Sequence, residues 1–181
     1  MTESKVIAET IAWIHSVVIG CHFCPFAAKA MLGKGVHFVV VEEATEKVAV
    51  ESLLQQLHYL DETAEIETAF IIFPNHFTDF HSYLKLVSSA EKLASRYGYD
   101  GIYQVASFHP DYCFVGSDAD DPANYTNRSI YPMLHILRES SITNALKYYA
   151  HPEGIPQRNI EFAREKGLLY MQLLRASCLA K

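Results

Sequence analysis

The chain has 181 residues, 50% of them hydrophobic, 12% aromatic and 20% charged, with a formal net charge of −6. That balance excludes a disordered chain and fits one α/β domain over 1–181 with a continuous core. Lys and Arg gather on no segment, so nucleic acid is not expected as a partner, and Glu9 and His15 divide the most apolar stretch, so no membrane span is expected either.

The first ten residues, MTESKVIAET, lack the basic and then apolar pattern of an export leader. Four cysteines without such a leader predict reduced thiols in the cytoplasm. From 6 to 20, Ile7, Ile11, Ile14 and Val18 recur at helical spacing, and Gly20 can end that helix. Pro25 suits the first turn of a short second helix, which places Cys24 at its N-cap. The runs 36–41 and 66–73 are apolar and read as buried strands, with a helix over 45–60 between them. A further helix over 78–97 leads through Gly98 and Gly101 to a third strand over 102–108. The segment 109–130 is dense in Asp, Asn, Gly and Pro and reads as a long irregular loop. Pro132 then opens a helix over 133–149, and Pro156 another running to 178. The predicted fold is α/β, with α+β as its alternative: three or more mainly parallel strands covered by helices, and a helical C-terminal segment.

Polar residues just beyond predicted strands are the first candidates for chemistry, because open α/β sheets bind ligands past the carboxyl ends of their strands. His109 and Asp111 follow the third strand in S-F-H-P-D-Y, His76 follows the second, and Glu42 and Glu43 follow the first. Farther on, Arg128, His135 and Arg138 sit on or before the predicted 133–149 helix, where His135 shares a face with Arg138 and Glu139. Arg128 beside that helix start would suit phosphate or carboxylate, unless it pairs with Asp120 or Asp121 to pin the loop. C-H-F-C at 21–24 has C-x-x-C spacing; a thiol at a helix N-cap is acidified, which makes Cys24 the expected reactive thiol, against the plainer reading of a buried cysteine among phenylalanines. His15, His37 and His58 fall inside predicted elements and read as structural. Glycine-rich phosphate loops, G-x-S-x-G and H-E-x-x-H are absent from the sequence, and no cofactor is indicated.

Five stretches carry a resemblance. C-P-F-A at 24–27, S-F-H-P-D-Y at 107–112, N-Y-T-N-R-S at 124–129, Y-P-M-L-H-I-L-R-E at 131–139 and R-N-I-E at 158–161 together resemble a bacterial family catalogued as domain of unknown function 1415. The resemblance implies a single-domain bacterial protein and assigns no activity. The matching positions are Cys24, His109, Asp111, Tyr112, Asn124, Asn127, Arg128, His135 and Arg138. Where this chain has Cys21, His22 and Phe23, the family pattern reads leucine-asparagine-leucine, which sets the second cysteine of C-x-x-C apart.

The leading expectation is a small-molecule enzyme or binding protein whose site holds an anionic ligand. His109, Asp111, His135 and Cys24 are its candidate catalytic groups, and Arg128, Arg138, Asn124, Asn127 and Tyr112 its binding groups. A metal-dependent alternative gathers His76, His109, Asp111 and His135 around a divalent ion. A redox protein built on Cys24, and an interaction protein presenting Tyr112, Tyr125 and Tyr131, complete the set, and self-association is left open.

Overall fold

The computed structural model describes residues 2–179. Helix α1, Glu3–Trp13, continues into a π-helical stretch, Ile14–Ile19, and stops at Gly20, where a Cβ would run into the Ser16 carbonyl. The short helix α2, Ala27–Leu32, has Phe26 at its N-cap, so Cys24, the expected cap, lies two residues ahead of it and Pro25 in the turn between. Strand β1 is Val36–Val40, helix α3 Glu46–Glu62, strand β2 Thr68–Ile72, helix α4 Phe80–Arg96 and strand β3 Tyr103–Phe108, the alternation read from the sequence. The long helices start where their caps dictate: Thr45 accepts from the Val48 amide at 3.3 Å, and Asp79 from the Ser82 amide at 2.8 Å.

The expected helix over 133–149 is instead a strand and a short helix: β4, Met133–Arg138, then α5, Glu139–Leu146. Apolar residues on both sides of M-L-H-I-L-R suit a buried helix or a strand covered on both faces, and period alone does not separate them. Its neighbours decide, because β4 lies between β2 and β3, pairing antiparallel with each (Phe70 opposite His135, and Ala106 opposite His135). The sheet order is β1-β2-β4-β3 and only β1 and β2 are adjacent and parallel, so the sheet is mixed rather than mainly parallel, consistent with α+β. The last expected helix is also two: α6, Ile155–Lys166, and α7, Leu168–Ala176, divided by Gly167 at φ 82°, a left-handed conformation suited to glycine.

One sheet face packs Ile71, Leu134 and Ile136 against Leu53 and Leu57 of α3 and Leu86 and Ala90 of α4. The other packs Phe70, Ile72 and Met133 against Trp13, Ile14 and Val17, with Ala163 of α6 and Met171 of α7 in the same cluster. Strands β1, β2 and β3 run in one direction, so the loops after them share an edge, where the Phe73 amide donates to the Pro132 carbonyl at 2.9 Å. No helix among the described residues is long and apolar enough to cross a membrane.

Candidate functional site

The loop after β3 turns its polar side chains onto its own backbone. Arg128 donates through Nε to the Tyr112 carbonyl at 2.9 Å and through a terminal nitrogen to the Ala119 carbonyl at 2.8 Å, with its guanidinium over the Tyr125 ring. It pins the loop, though through carbonyls and not through Asp120 or Asp121. Asp121 pairs with Arg164 of α6 at 2.6 Å. Asn124, fully buried, accepts from the Phe114 amide at 3.0 Å and donates to the Asp118 carbonyl at 2.9 Å and the Ala119 carbonyl at 3.4 Å. Asn127 donates to the Ser107 carbonyl at 3.2 Å, tying the loop to β3. The Tyr112 ring packs between Phe80 and Phe114.

The expected polar centre is taken apart by the sheet. His109 contacts Phe80 and Tyr83 of α4, on one side, whereas His135 stacks on Phe70, with ring centroids 3.9 Å apart, on the other. Both His109 nitrogens are used: Nε2 lies 2.8 Å from the Phe77 carbonyl and Nδ1 accepts from the Asp111 amide at 2.9 Å. Burial holds His109 below the usual histidine range, and its bond to Phe77 fixes a turn in which that bulky residue is left-handed at φ 57°. The Asp111 side chain is exposed, and it is its backbone that meets His109. Arg128 and Arg138 flank opposite ends of β4, roughly 17 Å of strand apart, so they do not clamp one anion. Arg138 reaches the Tyr103 hydroxyl at 3.1 Å and the Leu60 carbonyl at 2.6 Å. Because 133–138 is a strand, Arg128 precedes no helix start, and His135, Arg138 and Glu139 share no helix face. His76 lies 3.4 Å from Glu43 at the edge where β1 and β2 end. Among the described residues no group of three or more His, Cys, Asp or Glu is placed to hold a metal ion, so His76, His109, Asp111 and His135 do not assemble.

Cys24 leads to the main concavity. The turn that carries it is held by α6: Asn159 donates to the Phe23 carbonyl at 2.7 Å and Arg158 to the His22 carbonyl. The thiol borders a cavity of about 470 Å³ that Phe23, Pro25 and Phe26 share with Phe108, Phe114, Thr126, Asn127, Leu137, Asn159 and Ile160. Helix α5 covers it with Ile142, Ala145 and Leu146, and alone among the described α-helices buries no residue. A smaller chamber of about 110 Å³ adjoins it across Val18, Cys24, Phe26, Phe108 and Leu137, with Thr68, Phe70 and His135 in its wall. Of the two readings of Cys24 the buried cysteine holds and the acidified thiol does not: burial raises the Cys24 pKa, and the amides of Phe26 and Ala27 offset this only in part. All four cysteines are free.

Sequence reasoning missed Thr68, Thr126 and Asn159 as wall residues, and the apolar face of α5. Asn159 stood in R-N-I-E, but its role needs α6 beside the Cys24 turn, a contact between residues 136 positions apart.

The cavity is mainly apolar, with Thr126, Asn127 and Asn159 in its wall, and lies between the mixed sheet and a lightly packed helix. The family model described as "Protein of unknown function (DUF1415)" matches residues 5–172, and the chain belongs to that family. No curated protein and no solved structure matches the chain.

Proposed function

We propose that the protein binds a small, largely apolar molecule in the cavity bounded by the Cys24 turn, the ends of β3 and β4, α5 and α6. One observation carries this reading: each of the five motifs that gave the family resemblance contributes to the wall. Cys24, Pro25 and Phe26 come from the first, Phe108 from the second, Thr126 and Asn127 from the third, Leu137 from the fourth, and Asn159 and Ile160 from the fifth. Shared loop pinning alone would not aim five separated segments at one apolar space. A volume of about 470 Å³ lies within the roughly 300–1,000 Å³ of small-molecule pockets. The four free thiols suit a reducing, cytoplasmic setting.

The test is thermal unfolding in the presence of medium-chain amphiphiles, with octan-1-ol and its isomer methyl heptyl ether as probes. A ligand at a hundred times its Kd adds about 2.7 kcal/mol to stability, a shift easily read. Ala145→Trp places an indole in the cavity from an incompletely buried position on α5, and should abolish the shift while leaving the circular dichroism spectrum unchanged. If neither probe raises the Tm of the unmodified protein, the reading falls.

A further inference from the structure

A second recess lies away from the cavity, between α7 and the end of the long loop. It has a volume of about 200 Å³ and is lined by Tyr125, Ile130, Gln172, Arg175, Ala176 and Leu179. Arg175 is half-buried and makes one bond to the chain, from Nε to the Ser129 carbonyl at 2.8 Å. That bond ties the guanidinium to the loop and leaves both terminal nitrogens, the outer fork, without a protein acceptor among the described residues. Arg128 and Arg138, also half-buried, commit terminal nitrogens to backbone carbonyls, and Arg164 commits one to Asp121. No ion pair among the described residues includes Arg175. The Tyr125 hydroxyl likewise bonds no protein atom among the described residues, although the residue is only 4% exposed. Unpartnered side-chain atoms sealed from solvent occur at Gln56, His135 and Arg138 and not at Arg175 or Tyr125, so these donors are open to the recess they line.

Charge favours an anion there. Burial pulls the Arg175 pKa below the usual arginine value; Tyr125 and Asp111 oppose that shift, and Arg128, whose guanidinium lies over the same Tyr125 ring, adds to it. Two arginines against one aspartate leave a single surplus positive charge, held where partial desolvation strengthens its attraction to a counter-ion. We propose that this recess binds a small monocarboxylate, with its oxygens on the Arg175 fork and the Tyr125 hydroxyl and its apolar body against Ile130, Ala176 and Leu179. A planar guanidinium matches a carboxylate edge to edge, and one surplus charge suits a monoanion. The site is separate from the cavity beneath α5 and stands or falls without it.

Benzoate and benzamide share a ring and nearly a shape and differ in charge, so their relative affinity reads the inference directly. Benzoate should move the Arg175 Nε–H resonance and the backbone amides of Gln172, Ala176 and Leu179 in ¹⁵N–¹H spectra, and bind about tenfold more tightly than benzamide. Tyr125→Phe removes a hydroxyl that bonds nothing in the fold and keeps the ring beneath Arg128. Its Tm should match that of the unmodified protein while its benzoate affinity falls about fivefold. Arg175→Gln should abolish the preference for benzoate. Equal binding of the two probes by the unmodified protein, or failure of benzoate to move these resonances, would overturn the assignment. Full benzoate affinity in Tyr125→Phe, or a preference that survives Arg175→Gln, would place the carboxylate on other groups and overturn it too. Tighter binding of inorganic phosphate at the same resonances would make the recess a phosphate site instead. The comparison of benzoate, benzamide and phosphate uses the unmodified protein, so the test holds whether or not Arg175→Gln folds.

Discussion

The 109–130 loop and the cavity beneath α5 draw on the same family motifs and use them in opposite ways. In the loop, Arg128, Asn124, Asn127 and His109 each satisfy backbone groups of the chain, which leaves them little capacity to recognise anything else. In the cavity the walls are mainly apolar, and α5 buries no residue. A satisfied polar cluster is a scaffold, whereas an apolar space under a lightly packed helix leaves room that the fold itself does not fill. Position after a strand does not distinguish the two, and a count of which hydrogen bonds are made does.

The sharpest way to break that contrast is Asn124→Ala. The substitution strands the Phe114 amide, which Asn124 now serves from a fully buried position, and removes one of the bonds at the Asp118 and Ala119 carbonyls, which keep the Asp121 amide and Arg128. An unmet buried group costs about 1–3 kcal/mol, so a loss of about 2 kcal/mol in urea unfolding is expected. Octan-1-ol affinity of the folded variant should stay within about twofold, since the wall residues are untouched. Lost binding with little lost stability would mean that the loop is the site and the cavity is packing.

Much of the scaffold was legible in the sequence. Strands β1 and β2 are apolar runs, α3 and α4 carry caps at Thr45 and Asp79, and the irregular loop is marked by its Asp, Asn, Gly and Pro. What failed was M-L-H-I-L-R, where a segment covered on both faces loses the period that would tell helix from strand, and the pairing partners that settle it lie far away in sequence. That one misreading moved His135, Arg138 and Arg128 into an imagined helix-end site. For Cys24 the C-x-x-C spacing pointed to an acidic thiol and the flanking phenylalanines to a buried one, and burial decides for the second. A cavity is a property of side chains that fail to meet, and sequence patterns record mainly those that do.

The two buried histidines sharpen the comparison through pH. Unfolded histidine titrates near 6.5, while His135 in the fold titrates at about 3 and His109 is also held low, each chiefly by burial. Between those limits the unfolded chain binds protons that the folded chain refuses. Their contribution is therefore complete above about pH 6.5 and is lost as pH falls, at up to about 1.4 kcal/mol per unit for each group. Unfolding free energies between about pH 7 and 4.5, above most carboxylate titration, should show this decline. His135→Phe should remove one histidine's share of the slope and leave that of His109. A variant with the slope of the unmodified protein would mean that His135 is reached by water and protonates in the fold, contrary to its burial.

The smallest effect tests whether the two regions are independent. Asp121 accepts two bonds from Arg164 and one from the Ala123 amide, which together hold its carboxyl at about 2. A depressed acid contributes stability above its unfolded pKa of about 3.9, and that contribution disappears as pH falls through about 2. Arg164→Ala leaves the Ala123 bond in place, so the carboxyl should rise only part of the way and the acid limb of the Tm against pH curve should move to higher pH. Near neutrality the change should be much smaller than that of Asn124→Ala, since the pair is solvent-facing, and added salt should shift the unmodified protein toward the variant. Arg164 and the wall residues Asn159 and Ile160 share α6, so the ion pair joins the loop to the helix that shapes the cavity. If the loop is scaffold only, octan-1-ol affinity is indifferent to Arg164. A change of more than about threefold would show that the loop sets the position of α6, and with it the width of the cavity.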